Sequence, residues 1–237
     1  MGTPDLIKQE LNSHINPAKA AFLPSFFQAY PGGYGEGDRF LGVVVPDQRK
    51  VARKYYRIIS LPGLQELIQS DVHEHRLTAI FILVLKYEKA RAGAEKKALV
   101  DFYTNNLSFV NNWDLVDSSA YKILGDFLFD KDRSLLYRFA VSKNLWRQRT
   151  AIIATYYFIK HNDYADTLKI ADLLLYHEHD LIHKAVGWML REVGNRNFEV
   201  EYDYLQSRYR QMPRTMLRYA IEKFEPELRK KFLQGKI

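Results

Sequence analysis

The sequence of 237 residues predicts an all-α protein, a solenoid of stacked helix pairs. Three observations carry this prediction. Apolar residues recur at helical spacing, alternating strand patterns are missing, and a short apolar pair returns at a near-constant interval.

The helical spacing is clearest in HRLTAIFILVLKYEKA (75–90), LWRQRTAIIATYYFIKH (145–161) and LIHKAVGWMLREVG (181–194), where apolar positions fall three and four residues apart. The one β-like run, FLGVVV (40–45), is too short to build a sheet. The interval appears when Ala79-Ile80, Leu115-Val116, Ala151-Ile152 and Ala185-Val186 are aligned: they stand 36, 36 and 34 residues apart. Between them lie second helical segments, AEKKALVDFYTNN, SLLYRFAVSKN and YADTLKIADLLLY. Helix pairs at this period mark an α-solenoid, and without the tetratricopeptide pattern of small residues the repeats are HEAT-like. Helices over 3–14 and 17–29 cap one end, and helices after Asn195, carrying Arg208, Arg210, Arg214 and Arg218, close the other. No linker divides the chain, so residues 1–237 are expected to form a single HEAT-like repeat domain whose inner helices line a concave surface.

Composition narrows the function classes. The chain is 47% hydrophobic and 14% aromatic, enough for a sizeable core and unlike a disordered chain. No apolar run approaches the ~18–20 residues that cross a bilayer. The N-terminal MGTPDLIKQELNSHINP carries Asp5, lacks an apolar stretch, and has Leu6 where myristoylation wants Ser or Thr. The absence of cysteine excludes disulfides, zinc–cysteine sites and thiol nucleophiles, and fits a cytoplasmic location. A net charge of +7 favours an anionic partner.

The segment NNWDLVDSSAYKILGDFL (111–128) places Trp113 and Asp117 at i and i+4, with Asp114 between them. One reading is a core indole beside a capping acid; the other is an indole and a carboxylate facing the same space. Asn111 and Asn112 precede the helix and can cap it, which leaves Asp117 without that role, while Asp114 suits a first-turn acid favoured by the helix dipole. Trp113 and Arg149 both stand two residues before their apolar pairs, so a tryptophan, a carboxylate and an arginine are expected to converge on the inner wall. Arg149, near Arg147, suits either a solvated face or a guanidinium fork on phosphate. Trp188 is either a core aromatic or, with Lys184 and Arg191 on its own helix face, a cationic aromatic surface for a sugar–phosphate chain. Gly187 beside it, in mid-helix, implies close approach by another backbone or by a ligand.

In VPDQRKVARKYYR, Arg49, Arg53 and Arg57 form a basic stripe at i, i+4 and i+8, with Lys50 and Lys54 beside it. Such a run suits either a solvated helix face or a phosphate partner, which relieves the unfavourable stacking of like charges. YPGGYGEGDRFLG has neither a preceding strand nor a following GK[ST] and is expected to be a surface loop. The HEH runs at 73–75 and 177–179 lack the HExxH spacing, so no metal site is expected.

Together NNWDLVDSSAYKILGDFL, LWRQRTAII, HKAVGWMLREVG and FLGVVVPDQRKVAR resemble the AlkD-type DNA alkylation-repair glycosylases, over about Asn16 to Arg218. The resemblance implies a HEAT-like solenoid that holds double-stranded DNA in its concave groove and hydrolyses the N-glycosidic bond of cationic N-alkylated purines, chiefly 3-methyladenine and 7-methylguanine. It implies a monomer working without a cofactor. Asp117, closing the W-D-x-V-D motif, corresponds to the catalytic acid, and Trp113, opening it, to one site tryptophan. Trp188 and Arg191 match the G-W-x-L-R motif, and Arg149 the arginine of W-x-x-R. Phe26 stands where the family often has tyrosine. The expected DNA contacts are thus Arg149, Arg191, Lys184, Arg49, Arg53 and Phe26. Binding through the DNA backbone is expected, with no insert to build a base pocket. The competing reading is a non-catalytic, structure-specific DNA-binding HEAT-like paralogue; relatives of that kind have lost key site residues, whereas this chain keeps the acid and both tryptophans.

Overall fold

The eight residues of the apolar repeat, Ala79-Ile80, Leu115-Val116, Ala151-Ile152 and Ala185-Val186, are each 0% exposed. The period read from the sequence is therefore the register of the core, and each buried Val, Leu or Ile in it contributes roughly 1.5–3 kcal/mol. The computed structural model describes residues 2–91 and 93–237. Among them the structure is all-helical, a solenoid of helical repeats. FLGVVV forms no strand; an isolated bridge joins the preceding Arg39 to Val72.

Contacts divide the chain into two units, one ending at Ser119 and one beginning at Ala120. The first holds α1 (Thr3–Asn12), α2 (Pro17–Phe26), α3 (Val45–Tyr55), α4 (Leu61–Ile68), α5 (His73–Lys89), α6 (Ala94–Asn105) and nearly all of α7 (Trp113–Ala120). Its centre is α5, buried continuously from His73 to Val84 and packed against α3, α4 and α6. A helix interior on every side reads as apolar all round. Here its first turn is polar, and those groups need internal partners.

The second unit starts with a π-helical turn (Tyr121–Gly125), followed by α8 (Asp126–Leu128), α9 (Ser134–Ala140), α10 (Leu145–Ala154) and α11 (Tyr156–Lys160). Then come α12 (Ala165–Leu173), α13 (Asp180–Gly194), α14 (Phe198–Arg208), α15 (Arg214–Ala220), a 3-10 turn (Ile221–Lys223) and α16 (Pro226–Gln234). Its core is α13, which packs against α10, α14 and α15. No described helix is long and apolar enough to cross a membrane.

Helix starts follow local chemistry. Asn16, Ser60, Asn144 and Asn197 each cap a helix by accepting from a backbone N–H one turn in. Two expected helices are shorter or broken. The one over 17–29 ends at Phe26, because Gln28 takes a positive φ of 49°. The run 145–161 splits at Thr155, whose hydroxyl donates to the Ile152 carbonyl at 2.7 Å and competes with the helix ladder.

Candidate functional site

Asn112 precedes α7 and is fully buried, its side-chain oxygen accepting from the Trp113 N–H at 2.8 Å. Trp113 and Asp117 are both half-buried on α7. At about 100° per residue, Asp117 lies about 40° round the helix from Trp113 and Asp114 about 100°. Asp117 therefore falls within the arc these two define, one turn further along.

Trp113 heads an aromatic stack. Its ring lies 5.4 Å from that of Phe27 and nearly parallel to it, and Phe27 in turn stacks on Phe40 at 5.4 Å and lies against His73 at 4.6 Å. Phe26, 49% exposed at the end of α2, meets Trp113 edge-on at 5.9 Å. The structure thus brings Phe26 and Trp113 together.

Behind this stack lies a buried polar network built on the HEHR start of α5. His73 Nδ1 is 3.0 Å from Asp38 and its Nε2 is 2.8 Å from Asp114, while Arg76 donates to Asp38 at 2.6 Å. Burial opposes charging His73, but the two carboxylates prevail and raise its pKa to about 9. Asp38 is also buried, yet His73 and Arg76 hold its carboxyl below the usual range. Glu74 accepts from the Leu41 and Gly42 backbone N–H groups. Gly42, with φ of +79°, is in the left-handed region, and a Cβ there would meet the Asn16 carbonyl oxygen at 2.2 Å. His75 pairs with Ser70, and burial drives its pKa down to about 4. The glycine-rich segment expected to be a simple surface loop therefore delivers Asp38 to the interior. Neither HEH run belongs to a metal-binding cluster among the described residues; His177 pairs with Gln148, and His179 caps α13.

A half-open cavity of about 360 Å³ lies against the aromatic stack, between α2, the 42–45 segment, α3, α5 and α7. Phe26, Phe27, Phe81 and Trp113 are among its apolar walls, while Asp114, Ser118, Lys19 and Arg49 contribute polar groups. These elements build it together, without a separate inserted segment. One side of it is formed by Gly42, Val43, Val44 and Val45, the end of the FLGVVV run.

Of the basic residues on α3, Arg49 lies over the Phe81 ring at 4.0 Å and Arg53 is exposed. Lys50 pairs with Asp47 at 2.8 Å and Lys54 with Glu10 at 2.6 Å. The stripe is shorter than expected, since α3 ends at Tyr55 and Arg57 lies beyond it.

In the second unit, Trp188 is half-buried, leans on Tyr156 at 6.0 Å and donates its indole N–H to Glu192 at 3.0 Å. Its two expected cationic neighbours are ion-paired: Lys184 with Asp180 at 2.7 Å, and Arg191 with Glu222. Arg149, expected on an open surface, is 5% exposed and donates to the Leu181 carbonyl at 2.5 Å, bracing α13 from α10. Gly187 answers its question through packing, because a Cβ there would meet the Met216 carbonyl oxygen at 2.4 Å. The close neighbour is α15. Sequence reasoning missed Glu192, one turn after Trp188, and the Tyr121, Tyr156 and Lys160 cluster, in which the Lys160 ammonium lies 5.1 Å and 5.0 Å from the two rings. The YYFIK run was the available signal.

A family model described as DNA alkylation repair enzyme matches residues 7–224. No curated protein sequence matches the chain. A solved structure titled "Predicted DNA alkylation repair enzyme from Enterococcus faecalis" is similar with a TM-score of 0.70 at 16% identity, covering 90% of this chain and 98% of that one. At that identity the likeness is one of fold.

Proposed function

The chain belongs to the family of DNA alkylation repair enzymes, and from that premise we propose that it is a DNA glycosylase acting on cationic N-alkylated purines in duplex DNA, 3-methyladenine and 7-methylguanine among them. A purine alkylated at N3 or N7 carries positive charge and leaves as a neutral base, so no general acid is required. The barrier lies in the positive charge that develops on the deoxyribose as the glycosidic bond breaks. One carboxylate, Asp117, stabilises that charge and orients the attacking water, in contrast to the paired carboxyl groups of glycoside hydrolases. The electron-rich face of Trp113 attracts the cationic nucleoside, by roughly 0.5–2 kcal/mol.

The observation that carries this reading is the placement of Asp117 one turn from Trp113 on the same side of α7, both half-buried. Arg49 and Arg53 of α3 contact phosphates and set register without reading bases. From the second unit the proposal takes Trp188 as an electron-rich face, and Lys184 and Arg191 as cations that exchange carboxylate for phosphate oxygens. Arg149 acts through α13 as a positioning residue.

The test is release of free bases from methylated duplex DNA. Wild type should release 7-methylguanine; Asp117→Asn should release none while keeping its affinity for the duplex. Equal release by the two proteins removes Asp117 from the mechanism. A wild type that holds duplex yet frees nothing supports the non-catalytic DNA-binding alternative.

A further inference from the structure

We infer that Glu192 is a positioning residue that acts through Trp188: its carboxylate fixes the indole by the N–H and enriches the ring face offered to a cationic nucleoside. The inference deepens the proposed function and rests on it in one respect, that an alkylated nucleoside reaches Trp188.

Geometry is the first argument. Trp188 and Glu192 stand at i and i+4 on α13, and the indole Nε1–H donates to Glu192 Oε1 at 3.0 Å. Tyr156 braces the ring from α11, 6.0 Å away and tilted by 44°. Tyr156 is held in its turn by the Tyr121 ring at 5.2 Å and by the Lys160 ammonium at 5.0 Å. A half-buried indole tied at its N–H and leaning on a second ring presents its remaining surface in one orientation.

Charge is the second argument. Glu192 forms no ion pair among the described residues, and its other oxygen accepts from the Asn195 side-chain amide at 3.4 Å. The nearby cations are engaged elsewhere: Arg191 turns to Glu222 and Lys184 to Asp180. Arg196, exposed and four residues on, makes no ion pair with Glu192. No partner cation cancels the carboxylate, and its shortest bond is to the indole. A hydrogen bond to an ionised acceptor is roughly twice as strong as a neutral one. Such a bond pushes electron density from the N–H into the ring, and a cation is drawn to an aromatic face electrostatically. The field reaches the next ring as well: burial, and then the Glu192 carboxylate, hold the Tyr156 phenol above its usual pKa. A glutamine would accept the same bond without the charge, so a purely structural tie has no use for a carboxylate.

The experiment measures binding to duplexes carrying 2′-fluoro-7-methylguanosine, which is cationic and resists release, or its neutral 7-deaza isostere. Wild type should prefer the cationic duplex by roughly fivefold. Glu192→Gln keeps an acceptor and loses the charge. Its preference should fall about threefold, while retained affinity for the neutral duplex shows that the variant is folded. Trp188→Phe has no N–H, and adding Glu192→Gln to it should change the preference no further. An absent preference in wild type overturns the proposal, as does an undiminished one in Glu192→Gln. An equal fall in the Trp188→Phe background also overturns it, since the carboxylate would then act on the cation directly. A second readout needs no DNA. The indole N–H proton resonance that disappears in Trp188→Phe should move upfield in Glu192→Gln, and an unmoved resonance overturns the inference. Base release is scored separately. Release without a Glu192-dependent preference sinks this inference alone, and the preference without release sinks the glycosylase reading alone.

Discussion

His73 Nε2 lies 2.8 Å from Asp114, on the helix that begins with Trp113. The same imidazole reaches Asp38 with its other nitrogen, so one buried ring fixes the start of α7, the glycine-rich segment and α5 together. The side chains of His73, Asp38 and Asp114 are 3%, 4% and 14% exposed, so water does little to screen them.

His73→Leu should therefore be severely destabilising. Removing one partner of a buried ionic group costs about 3–5 kcal/mol, because the remaining charges stay buried. The pH dependence follows from the direction of the shift. With a folded-state pKa of about 9 against 6.5 when unfolded, the imidazolium contributes fully below 6.5, and the contribution is lost as pH rises through 9. Denaturant titrations of both proteins should show a gap that is widest on the acid side of neutrality and narrows toward alkaline pH. A gap independent of pH would mean that His73 is not held charged.

The salt dependence of duplex binding should distinguish the cations of α3. Each phosphate contact removed lowers the slope of log affinity against log salt by about 0.9. Arg49→Ala and Arg53→Ala should each show a loss of that size. Lys50→Ala and Lys54→Ala should show less, since Asp47 and Glu10 already occupy these ammonium groups. Arg149→Ala should instead lower the melting temperature through the lost Leu181 tie. Slopes unchanged from wild type in all four α3 variants would leave this helix off the DNA.

These contrasts show what was legible in the sequence. Local periodicity revealed the helices, and the recurring apolar pairs revealed the core register, because both depend on residues a few positions or one repeat apart. Trp113 and Asp117 were visible for the same reason. The network behind them was not: His73 pairs with residues 35 and 41 positions away and Glu74 with Gly42 at 32, and no spacing rule marks such partners. Arg149 stood in the expected register, yet its long side chain turns inward to a carbonyl 32 residues on. Register alone does not determine where a guanidinium ends.

Glu201 predicts a second alkaline weakness. It is 2% exposed on α14, and burial raises its pKa to about 9 despite the nearby Arg191. A carboxyl kept neutral in the fold but ionised when unfolded stabilises fully below 4.5, and that contribution is lost as pH rises through 9. Glu201→Gln removes the ionisation while keeping the shape. Its stability relative to wild type should climb steadily between those limits; a constant difference would place an ionised carboxylate in the folded protein.

Gly187→Ala tests packing against propensity. In an isolated helix, alanine at this mid-helix site would gain about 1 kcal/mol over glycine. In the folded chain the new methyl group would lie 2.4 Å from the Met216 carbonyl oxygen and 2.5 Å from the Tyr219 Cβ, distances that require α13 and α15 to separate. Overpacking of this kind costs typically about 1–3 kcal/mol, so the expected net effect is destabilising. The shift should also be felt at Trp188, the next residue, whose indole depends on the same helix for its contacts with Tyr156 and Glu192. Denaturant unfolding measures the first effect and tryptophan fluorescence the second. A Gly187→Ala protein more stable than wild type would show that α15 yields easily, and the close approach would then no longer explain the glycine.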